Sequence, residues 1–383
     1  MKRILILFFS FLIICKYVKG EKKIIYYGWG TRDTIYVREN WEKMEEMPFD
    51  GIGISVAINR DKPTIGNGAT GNLLGWNLFG PVAFKYEDFK EAIDDLKVPK
   101  WKKFKDNFLV CAVASKGQDY GLNWFDEERW KKIYNNWEIF IRIAKEGNLK
   151  GVLIDFEHYD YDCELFCYIH HKNKREDRTF SEYKEIARKR GRDIMKITKK
   201  IFPDITIIYT PGYSFYLIDK IEKKCRGKSE EETRYSLLPS FLDGILEEST
   251  NKMKIIEIGV TPEYGYRSLY SYTEKIDFQK AYGAVKTYSL LVSEVPNIHW
   301  ERIKVGFATS LDYPCREWNT EDLSKNYYTP EKFYTTLKNA LEICNEYVWL
   351  YTGSIKPQFF PRANIPDEYI DAIKKAKEEV NRK

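Results

Sequence analysis

The chain has 383 residues, enough for one large barrel domain with insertions or for two domains of average size. Its 62 Lys and Arg residues against 57 Asp and Glu give a net charge of +5, which is small for this length and does not favour a nucleic-acid partner. Aromatic residues make up 16% of the chain, a high fraction that suits core packing or sugar stacking.

The N-terminus is typical of a secretory signal peptide. Met1-Lys2-Arg3 precedes an apolar run over residues 4–14, too short to span a bilayer, and residues 18–20 offer a cleavage site. We therefore predict a signal peptide over residues 1–20, a mature chain from Glu21, and a secreted or periplasmic protein with no membrane contact after signal removal. Cys15 leaves a lipoprotein open, although Ile14 stands where lipidation needs a small residue.

Beyond residue 20, apolar β-rich runs alternate with helical patterns eight times. The predicted strands are residues 23–29, 50–57, 107–114, 150–157, 205–211, 254–260, 302–309 and 346–352. The predicted helices are residues 37–47, 86–96, 127–145, 181–201, 237–248, 277–291, 330–345 and 366–382. This alternation predicts an α/β fold, a (β/α)8 TIM barrel that forms a single domain over residues 21–383, with long loops at its C-terminal mouth.

The loop predicted at residues 59–81, after the second strand, is rich in glycine and carries Trp76 and Phe79. No Gly-x-x-x-x-Gly-Lys pattern follows and no helix is predicted to open from it, which argues against a phosphate site. We expect it to form a rim or a lid over the mouth.

The fourth predicted strand ends in two acids, Asp155 and Glu157. Residues two apart on a strand point the same way, so both carboxylates should share one side at the mouth. Hydrolysis of a glycosidic bond needs a carboxylic acid that protonates the leaving oxygen and a second group that stabilises or attacks the anomeric centre. We predict Glu157 as the acid, its pKa raised by partial burial and by the charge of Asp155, with Asp155 as its partner. The alternative is a salt network with Lys or Arg of neighbouring strands.

The segment from Lys150 to Glu157, Lys-Gly-Val-Leu-Ile-Asp-Phe-Glu, resembles the fourth-strand signature of family 18 glycoside hydrolases, the chitinase group. Gly151, Asp155 and Glu157 match it, whereas Lys150 and Leu153 stand where that family has aspartates. The resemblance implies that Asp155 positions a substrate N-acetyl group that acts as internal nucleophile, and the loss of the aspartate at Leu153 counts against this mechanism.

The chain is also similar, more broadly, to secreted bacterial barrel proteins classed as glycoside hydrolase-like. Glu346-Tyr-Val-Trp349 matches a pattern that recurs near their eighth strand. This resemblance implies that Trp349 floors the subsite that holds the sugar, whereas the alternative is a tryptophan of the barrel core.

A mechanism with a protein nucleophile would need a second carboxylate from another strand end. Candidates are Glu263, just past the sixth strand, and Asp312, just past the seventh. Nine aromatic residues are predicted at the mouth. Two of them are Tyr213 and Tyr313, and the other seven, the predicted substrate-binding residues, are Trp29, Trp124, Tyr159, Tyr209, Tyr264, Tyr266 and Trp349.

Metal and cofactor chemistry are not favoured. The chain has only four histidines, and Cys163 and Cys167 have no second ligand pair nearby. Six cysteines remain after the signal, and some could pair in an oxidising compartment. The leading hypothesis is a secreted glycoside hydrolase acting on an oligo- or polysaccharide without a cofactor. The alternatives are a non-catalytic carbohydrate-binding barrel and, third, a metal-dependent hydrolase.

Overall fold

A computed structural model of the chain describes residues 20–28, 31–65, 69–114, 122–159, 164–175, 178–258, 272–314, 318–353 and 357–382. Within these ranges a parallel sheet is built from eight main strands. They are β1 (Lys23–Tyr26), β2 (Gly51–Ser55), β3 (Phe108–Ala114), β4 (Gly151–His158), β5 (Thr206–Thr210), β6 (Lys254–Ile258), β7 (Ile303–Ser310) and β8 (Tyr347–Tyr351).

The sheet closes on itself. Each strand pairs in parallel with the next along the chain, and β1 pairs with both β2 and β8. A short strand, Arg32–Asp33, extends the pairing of β2, and an antiparallel pair joins Gln358–Phe359 to Arg362–Ala363. The fold is the predicted (β/α)8 barrel.

Helices surround the barrel and fill some of the loops at its mouth. In the described ranges they are α1 (Thr34–Met44), α2 (Leu74–Asn77), α3 (Lys90–Lys97), α4 (Glu127–Glu146), α5 (Tyr168–Arg175), α6 (Phe180–Ile201), α7 (Tyr213–Cys225), α8 (Leu238–Glu248), α9 (Lys275–Lys286), α10 (Pro296–Arg302), α11 (Pro330–Ile343) and α12 (Asp367–Asn381).

Local capping explains where several helices begin. The predicted helix 37–47 lies three residues too far along the chain, because the side chain of Asp33 accepts a hydrogen bond from Tyr36 N and starts α1 at Thr34. Thr179 and Glu182 form a capping box that starts α6, close to its predicted position. Residues 237–248 form a helix as predicted, α8, with a proline in its first turn.

Four helices were not predicted: α2, α5, α7 and α10. One of them, α2, lies within the predicted rim loop at 59–81. The helix predicted at 277–291 ends earlier, because α9 stops at Lys286 and a 3₁₀ turn, Tyr288–Leu291, follows. Three of the unpredicted helices, α2, α5 and α10, have only four to eight residues, too few for the long apolar periodicity that marks the helices packed on the barrel.

The two ends of the described barrel are joined next to β1. Lys22 N donates to Asn381 Oδ1 at 2.8 Å, and Asn381 Nδ2 donates to Lys22 O at 2.9 Å. The last helix is thereby bonded to the segment that leads into the first strand.

No helix in the described residues is long and apolar enough to cross a membrane. Of the six cysteines that follow the predicted signal peptide, Cys111, Cys167, Cys225 and Cys344 are free thiols. Cys163 and Cys315 lie outside the described residues, as does the predicted signal peptide apart from Gly20.

Candidate active site

Asp155 lies near the carboxyl end of β4 and faces the interior of the barrel. Its strand neighbours Ile154 and Phe156 point the other way, lining an apolar gap with residues of α4, α6 and α8. Asp155 pairs in register with Ala112 of β3, whose side chain packs at the mouth. The Asp155 carboxylate thus lies on the predicted side of the strand, facing the barrel interior.

The β3–β4 ladder is irregular at this point. Asp155 pairs with Ala112 but His158 pairs with Ala114, so β4 has one extra residue between the two pairs. Such bulges re-aim side chains, and here the charge of Glu157 still acts on both Asp155 and Tyr159. The three polar side chains therefore share one region of the mouth.

Asp155 is only 6% exposed and is held by two hydrogen bonds. Oδ1 accepts from the backbone N–H of Glu157 at 2.8 Å, and Oδ2 accepts from the hydroxyl of Tyr159. Burial, followed by the negative charge of Glu157, raises the pKa of Asp155 to about 7, while both hydrogen bonds oppose the rise. A carboxyl with this pKa exchanges its proton near neutral pH.

Glu157 lies closer to solvent than Asp155, since its side chain is partly exposed. Tyr235 lies nearby: burial raises the pKa of its phenol, and the charges of Glu157 and Asp155 act in the same direction. The pair thus consists of a buried carboxyl and a partly exposed one.

An aromatic wall lies beside the pair. The ring of Tyr159 lies 5.1 Å from the ring of Trp76, which α2 carries. The sequence placed Trp76 in a rim loop but gave it no role at the site. Burial and the neighbouring charges of Asp155, Glu157 and Tyr27 raise the pKa of the Tyr159 phenol, so its hydroxyl stays protonated and donates.

A second set of rings lies on the wall formed by β1 and β8. Trp349 is 3% exposed, and its Nε1 donates to Tyr27 O at 2.7 Å. Its ring lies 5.3 Å from Tyr27 and 5.6 Å from Tyr351. The charge of Tyr27 also contributes to raising the pKa of the Tyr159 phenol. The second wall therefore lies close to the carboxylate pair. Trp349 is therefore at the mouth but mostly covered by its aromatic neighbours.

Two predicted substrate-binding rings lie elsewhere, which corrects their expected place at the mouth. Tyr209 is 2% exposed, contacts Phe156 in the layer between barrel and helices, and donates from its hydroxyl to Glu257 at 3.0 Å. Trp124 is fully buried against Trp130, with Nε1 donating to Leu165 O at 2.9 Å.

The same correction applies to Tyr213, which is fully buried and donates to Asp243 Oδ1 at 2.7 Å. Tyr313 is partly buried and lies 4.9 Å from the ring of Tyr327.

Asp312, a possible second carboxylate, is 2% exposed just past β7. Its Oδ1 accepts from Ser310 Oγ at 3.1 Å and from Gly353 N at 2.9 Å, contacts that link the ends of β7 and β8. The other four predicted site residues, Glu263, Trp29, Tyr264 and Tyr266, lie outside the described residues.

A fully buried carboxylate that the sequence reasoning passed over is Glu257 of β6. It accepts from Ser214 N at 2.8 Å, Ser214 Oγ at 2.5 Å and Tyr213 N at 3.2 Å at the start of α7. Burial raises its pKa, and these donors oppose the rise. An acid within the apolar run Lys254–Ile258 was the signal that could have found it; its contacts are those of a helix cap.

His158, next to Glu157, does not contribute to a cluster of metal ligands. Its ring stacks on Tyr235 at 4.3 Å, and its Nε2 accepts from Phe166 N at 3.2 Å. Among the described residues no three His, Cys, Asp or Glu side chains form a group that could hold a metal ion.

No family model matches the chain, and no curated protein sequence matches it. The family 18 resemblance accordingly stays a prediction. The solved structures similar to this chain include an endocellulase from Pyrococcus horikoshii, with 12% identity over 94% of this chain and 92% of that one and a TM-score of 0.43. A family 5 glycoside hydrolase from Prevotella bryantii B14 has 10% identity over 89% and 86%, with a TM-score of 0.46. A psychrophilic family 10 endo-β-1,4-xylanase has 11% identity over 92% and 96%, with a TM-score of 0.45.

Proposed function

We propose that this protein is a glycoside hydrolase whose active site is the mouth of the barrel, with Glu157 as general acid and Asp155 as its partner. The observation that carries the proposal is the pair itself: a buried carboxyl with a pKa raised to about 7 lies beside a partly exposed one at the end of β4. Repulsion between the two carboxylates favours a state with one proton on the pair, and with that proton on Glu157 the Asp155 carboxylate is the anion that faces the anomeric centre.

In this mechanism Glu157 protonates the glycosidic oxygen of the departing sugar, because it is the member of the pair that substrate can reach. Asp155, fixed by its hydrogen bonds, then stabilises the positive charge that develops at the anomeric centre or orients the group that attacks it. After the leaving group departs, the Glu157 carboxylate accepts a proton from the attacking water.

The described ends of β5 to β8 supply no carboxylate nucleophile, and the candidate Glu263 lies outside the described residues. These strand ends carry Thr210 on β5, Ile258 on β6, Ser310 on β7 and Tyr351 on β8, none of them an acid. The family 18 resemblance implies that a 2-acetamido group on the sugar attacks the anomeric carbon from within the substrate, although Leu153 stands where that family has an aspartate. We therefore propose N-acetylated sugars as the first substrates to test.

Aromatic side chains at the mouth support a carbohydrate as ligand. The partly exposed rings are those of Tyr159, Tyr27 and Tyr351, and the buried rings of Trp76 and Trp349 pack behind them. Sugar rings have apolar faces that stack on such side chains. We also propose that the protein acts outside the cytoplasm, where its N-terminal signal would direct it.

A non-catalytic glycan-binding barrel is the second candidate, and one observation favours it. Asp312, just past the seventh strand, is buried and bonded to Ser310 and Gly353, contacts that link the ends of β7 and β8 and account for this acid structurally. Under this hypothesis the aromatic walls bind a glycan and the Asp155–Glu157 pair shapes the pocket.

The experiment that separates these candidates measures the release of reducing ends from a glycan panel that includes chitin oligomers. The parent protein should release them, and Glu157→Gln should lose at least about a hundredfold of the rate while still binding the glycan. Glu128→Gln, at an exposed position on α4, is the matched control. Tight glycan binding by all three proteins, with no release by any of them, would favour the binding barrel.

A further inference from the structure

The short helix α2 is anchored against the backbone of β3. Gly75 approaches β3 so closely that a Cβ atom at this position would lie 2.0 Å from Val110 O. Only glycine allows this contact. Because the backbone of α2 is fixed, the next residue, Trp76, is held in place; it is 9% exposed and packs on Leu73 and Ala112.

Trp76 connects this anchored helix to the carboxylate pair. Its ring lies 5.1 Å from the ring of Tyr159, with the two planes at 45°. The hydroxyl of Tyr159 donates to Oδ2 of Asp155. Ala112, beneath the Trp76 ring, is the register partner of Asp155 on the adjacent strand. A continuous set of contacts therefore runs from the loop after β2 to the buried carboxyl.

We propose that Tyr159, held by Trp76, is a positioning residue of the carboxylate pair: its hydroxyl fixes the Asp155 carboxylate and stabilises its anion. The loop after β2 then controls how strongly the pair holds its proton. The catalytic meaning of this control rests on the proposed function, but the contact itself requires no substrate.

The electrostatics around Asp155 define the direction of the effect. The titratable groups that surround Asp155 and Tyr159 come from four parts of the fold; they are Glu157, Tyr27, Tyr235 and Cys111. Burial and the charge of Glu157 raise the pKa of Asp155, whereas the Tyr159 hydroxyl and the N–H of Glu157 lower it. Removing the hydroxyl while keeping the ring should therefore make Asp155 a weaker acid.

The test is a pH titration of the Asp155 carboxyl by ¹³C NMR on purified protein labelled in its Asp and Glu carboxyls. Its signal is assigned by its absence from Asp155→Asn. Tyr159→Phe should raise the pKa of Asp155 by about one unit, since a hydrogen bond to a charged group contributes about 1.5–3 kcal/mol. Tyr134→Phe, which removes a hydroxyl from α4, is the matched control, and thermal unfolding verifies that each variant is folded.

The role of Trp76 is tested by repeating Tyr159→Phe in a Trp76→Ala background. If Trp76 holds Tyr159, the shift caused by Tyr159→Phe should fall to less than about half of its value in the parent. Trp76→Leu serves the same purpose should Trp76→Ala unfold. A full shift in either background would overturn the positioning by Trp76, and no shift in folded Tyr159→Phe would overturn the proposal as a whole.

No glycan enters this titration, so its outcome is separate from that of the proposed function. A shifted titration without hydrolysis of any glycan would retain the positioning role and contradict the hydrolase. Hydrolysis of a glycan with an unshifted titration would support the hydrolase and contradict the positioning role of Tyr159. Where hydrolysis occurs, Tyr159→Phe should also move the pH profile of kcat in the same direction as the titration, with a smaller change in KM.

Discussion

The backbone N–H of Glu157 donates to Oδ1 of Asp155 at 2.8 Å, so the buried carboxyl is bonded to the residue that carries its partner. The same carboxyl accepts from Tyr159 through its other oxygen. Both bonds favour the Asp155 anion, yet burial and the charge of Glu157 prevail and raise its pKa to about 7. Ionised Asp155 therefore lowers the stability of the fold at neutral pH, and such destabilising charges are common among catalytic groups.

Asp155→Asn is therefore expected to stabilise the protein at neutral pH while it abolishes activity. The folded-state pKa of about 7 lies above the unfolded value, so the stability contribution of Asp155 is fully present below about pH 4 and is lost as the pH rises through 7. Removing the charge should raise the free energy of unfolding at pH 7.5 by about 1–3 kcal/mol, and by much less at pH 4. Urea unfolding at both pH values measures this, and a loss of stability at pH 7.5 would favour a structural salt network.

Glu257 is expected to stabilise the fold without a role in catalysis. Replacing it by Leu leaves the two N–H groups at the start of α7 and the hydroxyl of Tyr209 without their acceptor. This should lower the free energy of unfolding by about 2–4 kcal/mol. Urea unfolding should show this loss, whereas the rate per folded molecule should stay at the parent value. Glu128→Leu, at a position whose side chain is 79% exposed, should change neither quantity.

His299 should make the protein sensitive to acid. It is fully buried against Tyr213, and burial, followed by the charge of Lys286, lowers its pKa to about 3. Since this value lies below the unfolded one, the stability it contributes is present above about pH 6.5 and is lost toward pH 3, at up to about 1.4 kcal/mol per pH unit.

A ring that does not titrate should remove this dependence. His299→Phe is expected to lose less free energy of unfolding than the parent between pH 7 and pH 4.5. His170→Phe, at a partly exposed position on α5, should leave the difference as it is in the parent. Equal losses in the parent and His299→Phe would show that other groups cause the acid sensitivity.

Gly75→Ala should destabilise the mouth, because its Cβ would lie 2.0 Å from Val110 O and α2 would have to move. We expect a loss of about 1–3 kcal/mol in thermal or urea unfolding and a measurable fall in activity as Trp76 shifts. Gly71→Ala is the control in the same loop, since nothing lies within 4 Å of its added Cβ. A Gly75→Ala protein as stable as Gly71→Ala would contradict the close approach.

Much of the fold was predictable, because each barrel strand is a short apolar run that ends in polar or turn-forming residues, with a helical pattern before the next run. The pair at the mouth was predictable for a similar reason. Asp155 and Glu157 interrupt an apolar run with charges, so the sequence alone predicts the side of the strand on which they lie.

The sides of β5 were not predictable. Ile207, Ile208 and Tyr209 form an apolar run without alternation, as is usual for a strand buried on both faces. The register of Asp155 with Thr210 determines which side chains of β5 face the barrel interior. It turns Thr210 inward and Tyr209 toward the helices. The contact of Trp76 with Tyr159 joins two loops distant in sequence, and no local pattern encodes it.

The most direct test of the central claim compares two leaving groups in Glu157→Gln, with the sugar that the glycan panel identifies. If Glu157 is the general acid, cleavage of the natural oligosaccharide should fall at least about a hundredfold, while cleavage of the dinitrophenyl glycoside of the same sugar, whose leaving group needs no proton, should fall less than about tenfold. Equal losses on both substrates, or full activity on the oligosaccharide, would contradict the assignment of Glu157 as the acid.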